Sequence, residues 1–480
     1  MRKYVSSLVI CILAISAQSC STQDIIYNFI YGFDSLIRAS NKGQEDRFGE
    51  QISYDGSTLA VGARLEDGND SGMEVSKGKV YLYQKIDQVW TEVAVITADD
   101  GEAGDQFGFS VSIQSPYLFV GARYHDGDDS VDQFQRGAVY VFKYNRGTDT
   151  WEKKQTLQHT EFDPSDAFGS LVKAHKNKKY LFVYAEGDDG ENNIESTTGA
   201  VYVFKRNGET WKQHQVLHGS NYNAFDYFGS SMDSSGKYLV VGAKETDGDD
   251  SGNQDESGSA FVFKLEDDET LGESWNQKQE LTASDKSEGD QFGTSVAIDG
   301  NRIIAGAPDE NGDKSTPQTG SGAAYIFEKK ESVYVVANTE PVSSESWLQS
   351  HKIKDPSIDD ATTGTAVNPG TNDGFGFSVN IEGQRVAIGS PGENGSDDGN
   401  QDDRGIVVTF GLNDETQNWE ITNRLSIPNY SMNDSMGSEV IMDGEVLFAS
   451  VHFEDGDHSL SQTNIGAVAI FGPGEFSTIE

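Results

Sequence analysis

The chain has 480 residues, with 78 Asp and Glu against 36 Lys and Arg, for a formal net charge of −42. Nucleic acid and anionic membranes are therefore poor partners, because both would repel it. Aromatic residues at 10% and 52 glycines argue against disorder and for a β protein with many tight turns.

Residues 1–19 read as an export signal: Arg2 and Lys3, an apolar run from Val5 to Ile15, then Ser16-Ala17-Gln18-Ser19-Cys20. That run is too short for a membrane span and carries the flanks of a signal. Cys20 could be the lipidated first residue of a bacterial-type lipoprotein, although Ala17-Gln18-Ser19 lacks the usual Leu. Ordinary cleavage after Ala17-x-Ser19 is the alternative. In both cases Cys11 leaves with the signal and at most one Cys remains, so no internal disulfide forms. The expected location is outside the cell or at its surface, with membrane contact only through such a lipid anchor.

Residues 20–45 join the signal to a region of repeats spanning 46–475. A Phe-Gly pair recurs at Phe48, Phe107, Phe168, Phe228, Phe292 and Phe375, with Met436-Gly437 as a worn seventh copy. Fourteen residues past the Phe or Met stands Gly62, Gly121, Gly242, Gly306, Gly389 or Ser450; the third copy instead reads Val183-Tyr184-Ala185 after a two-residue insertion. All six tryptophans (Trp90, Trp151, Trp211, Trp275, Trp347, Trp419) fall in one phase, each followed six residues later by Ile or Leu. Each repeat then offers four short alternating runs, and no window of twelve or more residues in the mature chain shows a 3.6-residue period. Four strands in each of seven repeats predict an all-β, seven-bladed β-propeller of four-stranded blades. The last repeat lacks its Trp run. Counting back from Phe48 with the spacing of the other repeats places a substitute at Tyr31–Ala39, an N-terminal strand completing the last blade and leaving no open edge.

The stretch Phe292-Gly293 through Gly306-Ala307-Pro308 resembles the FG-GAP repeat, and the resemblance covers roughly Tyr31 to Phe471. It implies an extracellular seven-bladed propeller, as in integrin α-subunit heads and secreted bacterial repeat proteins. In integrins the calcium loop lies between the FG and GAP elements. Here that position holds only tight turns such as Asp55-Gly56, Asp299-Gly300 and Glu382-Gly383, so the integrin calcium site does not carry over and the bacterial-type repeats are the nearer match.

Acidic loops sit instead between the second and third strands: Asp67 and Asn69, Asp126 and Asp128, Asp247 and Asp249, Asn311 and Asp313, Asn394, and Asp455 and Asp457, each beside a Gly. Asp and Asn oxygens with backbone carbonyls suit Ca2+. The same Asp-Gly and Asn-Gly pairs are also plain turn formers on a solvated rim. By propeller topology these loops share a face with the inter-blade connections, which are acidic too. The third-to-fourth loops on the other face carry bases (Lys143, Arg146, Lys153, Lys154, Lys205, Arg206, Lys212, Lys329, Lys330), predicting a charge-polarised disc. Two insertions, Glu328–Ser346 and Lys354–Asn372, leave from opposite faces.

No His-Glu-x-x-His, Gly-x-Ser-x-Gly, phosphate loop or Cys cluster occurs. His125, His452 and His458 lie in or beside acidic loops, as metal ligands or as isolated surface histidines. The Phe-Gly strands look inward with Ser, Val, Ile and Ala, which disfavours a hub enzyme. The expected function is therefore non-catalytic binding or adhesion toward an extracellular protein or polysaccharide, one with a basic surface for preference and with Ca2+ as a cofactor of the loops. A polysaccharide lyase or hydrolase, or a structural surface-layer or matrix protein, is the alternative.

Overall fold

The computed structural model describes residues 31–41, 46–66, 76–126, 135–160, 165–189, 197–220, 223–246, 256–270, 272–311, 320–334, 342–355, 373–393, 404–427, 434–452 and 465–473. They form seven antiparallel four-stranded sheets. In six of them chain order is spatial order, from an inner strand at the axis to an outer strand at the rim. The seventh is composite: Tyr31–Ile37 pairs with Ala467–Pro473, in a register running from Tyr31↔Pro473 to Ile37↔Val468. The closing strand thus falls within the predicted segment, and it covers an edge of Ala467–Pro473 that would otherwise invite pairing with another chain.

Aromatic residues wedge the blades together. Each entrance Phe is buried and meets the third strand of its own blade edge-on, as Phe48 does with Tyr81 at 5.5 Å and Phe107 with Tyr140 at 5.3 Å between ring centroids. Four of the six tryptophans reach the opposite way, onto the second strand of the preceding blade, while Trp151 meets Tyr144 of its own blade. Trp211 meets Phe119 at 5.0 Å, Trp275 meets Phe182 at 5.1 Å, Trp347 meets Tyr238 at 5.4 Å, and Trp90 meets Phe448 of blade 7 at 5.3 Å. Such a Trp plugs the seam between two blades, and truncating a buried one to Ala would cost about 3–5 kcal/mol.

The two glycines of the motif answer each other across the seam. A Cβ on Gly306 would collide with the carbonyl oxygen of Gly376 in the next blade. Gly376 itself has a φ of +97° and packs on the Ala323 carbonyl. Ser110, Ser231, Ser295 and Ser378 donate from Oγ to the carbonyl of the next entrance glycine at 2.6–2.8 Å. In blade 3, where Tyr184 stands in the glycine's place, its ring fills the space over Gly229, where a Cβ would strike it.

A second set of ties runs round the rim. Gln155 donates from Nε2 to the Trp211 carbonyl and accepts the Trp211 N–H, both at 2.9 Å. Gln215 treats Trp275, and Gln279 treats Trp347, in the same way. Asn423 accepts the Tyr31 N–H at 3.2 Å at the seam into blade 7. Ala94 and Ser35 hold the equivalent positions in blades 1 and 7.

Candidate functional site

In six blades the loop between the second and third strands leaves from one structural base. A polar residue ends the turn after the second strand (Glu66, His125, Asp188, Thr246, Glu310 or Glu393). Its carbonyl accepts the N–H of the glycine opening the third strand (Gly78, Gly137, Gly199, Gly258, Gly322 or Gly405) at 2.9–3.0 Å. Beside it lies an aspartate two residues ahead of each entrance Phe or Met: Asp46, Asp105, Asp166, Asp226, Asp290, Asp373 and Asp434, all buried. Asp105, Asp226 and Asp290 each accept the N–H of the residue three earlier, at 2.9, 2.6 and 2.6 Å, which closes the inter-blade turn. Sequence reading missed this aspartate, although its recurrence in all seven repeats was the signal for it.

Buried carboxylates need a neutralising neighbour, and the blades supply different ones. Lys79 Nζ lies 3.2 Å from Glu66 in blade 1, His125 Nδ1 3.1 Å from Asp105 in blade 2, and His159 Nε2 3.2 Å from Asp166 in blade 3. In blade 5 Lys352 Nζ is 2.7 Å from both Asp285 and Glu310. Burial opposes the His125 charge, but Asp105 outweighs it and lifts its pKa above the ordinary histidine value. Burial, reinforced by the Glu310 charge, pushes Asp290 up to about 7.

Blade 6 differs. The place of His159 is taken by Asp355, and the place of Tyr202 by Val408. Asp355, Asp373 and Glu393 each bring a carboxylate oxygen within 4.8 Å of the others. Oxygens on opposite sides of a Ca2+ stand about 4.6–5.2 Å apart, twice the usual ligand distance, so the triad could hold one hard cation. Asp355 and Asp373 flank residues 356–372, and Glu393 adjoins Asn394. The Asp373 carbonyl accepts from Ser390 Oγ at 2.8 Å and from the Gly392 N–H at 3.1 Å. Inter-blade connection and second-to-third loop therefore do share a face.

Of the loop residues expected to bind Ca2+, Asp126 and Asn311 are described. Asp126 Oδ1 accepts the Gln135 N–H at 2.6 Å and Asn311 Oδ1 the Gly320 N–H at 3.1 Å, so at both the side chain closes its own loop. Asp67, Asn69, Asp128, Asp247, Asp249, Asp313, Asn394, Asp455, Asp457, His458 and Cys20 lie outside the described residues. His452 Nε2 is 3.0 Å from Glu50. Among the described residues no helix is long and apolar enough to cross a membrane.

Two expectations need correction, and one insertion takes a defined form. The insertion Glu328–Ser346 is largely an extended ribbon, because Ala323–Tyr334 and Val342–Lys354 continue their pairing from Ala323↔Lys354 out to Tyr334↔Val342. Of the bases assigned to the third-to-fourth loops only Arg146 lies between strands; the others lie on them, and Lys153 pairs with Asp99 and Asp100 of the acidic side. The inner strands also carry more than small and apolar residues. Lys173 Nζ contacts Asp233 Oδ1 at 2.9 Å and is 41% exposed, so water reaches it beside the axis. Asp233 Oδ2 accepts the Ile298 N–H at 2.9 Å, and Glu439 Oε2 accepts the Ile52 N–H at 2.6 Å. Ser53 and Ser112 do the same for Ile113 and Ala174. These side chains cap the edge N–H groups of the following inner strand, which is why polar residues recur there. Burial pushes Glu439 up to about 8.

No curated protein matches the chain. The sequence model of the FG-GAP repeat matches residues 32–83, 90–142, 211–263 and 275–327. Each match begins in an outer strand and ends in the third strand of the next blade, and the first begins in the closing strand itself.

Proposed function

Because this chain belongs to the FG-GAP repeat family, we propose that it is an exported, non-catalytic binding propeller engaging a basic protein or a polysaccharide outside the cell, with Ca2+ held by Asp355, Asp373 and Glu393. The triad is the observation that carries the cation, and the net charge of −42 supports a basic partner. A bound cation would neutralise three neighbouring carboxylates and tie both ends of the 356–372 segment to the loop that begins at Asn394. Thermal unfolding in EDTA and in millimolar Ca2+ tests this. Free Ca2+ at about 100 times its Kd adds ~2.7 kcal/mol to stability, a rise of several degrees in Tm that Asp373→Asn should abolish. Identical curves for the unaltered chain would remove the cation from the reading. A glycan array beside a panel of basic proteins then separates the two partner classes.

A second reading draws on the axis. Glu439, with its pKa raised to about 8, keeps a proton at neutral pH and so has the character of a general acid, with Lys173 near enough to act on its charge. A polysaccharide lyase or hydrolase would use such a pair. Release of oligosaccharide from an acidic polysaccharide, lost in Glu439→Gln, would favour it over pure binding.

A further inference from the structure

We propose that the outer edge of blade 1, Val89–Ile96, is a docking edge to which an extended, β-branched segment of a basic partner protein adds as a fifth strand. This deepens the binding reading above and rests on it. Two independent observations meet at this edge. The first is composition. Val89, Val93 and Val95 are 63%, 42% and 42% exposed with Thr91 also exposed between them, and Ile86 across the hairpin turn is 48% exposed. The corresponding positions of other outer strands carry Glu152 and Lys154, Lys212 and His214, or Lys278 and Glu280. Charge, and lysine above all, is how natural edge strands are kept from pairing. The bulge opposite Tyr83 does not set this strand apart, since every outer pair has one.

The second observation is the state of the backbone. Ile86 and Val89 flank a two-residue turn and so form a hydrogen-bonded pair, which leaves Lys85↔Trp90 a non-bonded pair with the Trp90 N–H and C=O aimed away from the sheet. In blades 3, 4 and 5 the main chain of the matching Trp is held by a Gln of the preceding blade. Before Trp90 the residue at that position is Ser35, whose hydroxyl is buried with no hydrogen-bond partner among the described residues. The edge that lacks guarding charge also lacks the glutamine tie.

Charge chooses the occupant. The strip is apolar in its middle, with Asp87 exposed at the turn and, beyond Ile96, Asp99, which is 67% exposed although it also faces Lys153. A strand with Lys or Arg at both ends of an alternating Val and Thr run complements it. A second copy would bring like charges together, and one short strand pair falls far below the ~1,200 Å2 of a stable dimer.

The test uses the full chain and a fluorescein-labelled probe peptide, Lys-Lys-Val-Thr-Val-Thr-Val-Lys-Lys, followed by anisotropy. The expected result is saturable binding weakened at least tenfold by Val93→Lys, and equally by methylating alternate peptide amides, which removes strand pairing and keeps the charge. An unchanged melting curve for Val93→Lys confirms that it is folded. No binding, or equal binding by the variant or the methylated peptide, overturns the proposal. So does a concentration-dependent dimer in ultracentrifugation that Val93→Lys dissolves, which would assign the edge to a second copy. None of these outcomes bears on the Ca2+ shift or on partner selection by the array, so failure here leaves the broader reading standing.

Discussion

Asp290 shows what one buried carboxyl does to the pH dependence of the whole chain. Its folded-state pKa of about 7 lies above its ordinary value of 3.8. The folded state therefore binds the proton more tightly, and stability is full below pH ~3.8, declines as pH rises through ~7 and stays lower beyond. Asp290→Asn keeps an acceptor for the Ser287 N–H and removes the titration. Its Tm should exceed that of the unaltered chain by several degrees at pH 8 and match it at pH 4; equal gains at both would show that the charge was not the cause. Asp355→His is the companion change, because it gives blade 6 the residue blade 3 uses. It should eliminate the Ca2+-dependent shift while leaving the Tm in EDTA equal or higher, and a surviving shift would place the cation elsewhere. These carboxylates were hard to read because a lone Asp among 78 acidic residues carries no weight until its partners, drawn from three separate segments, are in place. The long spacing between Ile353 and Phe375 did mark the region, but the carboxylates stand at its ends rather than inside it.

At the scale of strands the Phe, Gly and Trp phases were enough to place all four members of each blade, since alternation and turn spacing report directly on strands. The ties between blades were invisible because each joins residues about one repeat apart whose pairing depends on how two sheets face each other. The glutamines make the point. Gln215→Ala leaves the Trp275 N–H and C=O without their clamp and should lower stability by about 1–2 kcal/mol. Ala94→Gln supplies the clamp missing between blades 1 and 2 and should raise Tm; scanning calorimetry of the two single variants checks both signs. Lys173, Asp233 and Glu439 escaped for the same reason, because a period of two tells which residues share a face but not which neighbour that face meets.

The closed ring makes stability a property of the whole chain. Removing residues 20–37 would bare the edge of Ala467–Pro473, and the remainder should melt many degrees lower and associate through that edge, as light scattering would show. Self-repulsion at a net charge of −42 should also make Tm climb by a few degrees as NaCl rises from low levels to half molar, through screening alone. The composite blade has a consequence in time as well. Tyr31 and Pro473 are the first and last residues of one strand pair, more than four hundred positions apart. A ribosome adding about 5–20 residues per second delivers the second partner roughly 20–90 s after the first. Throughout synthesis the opening strand has nothing to hold, so the nascent molecule stays unsealed and pliable enough to be threaded, and the seam locks only when the final stretch arrives.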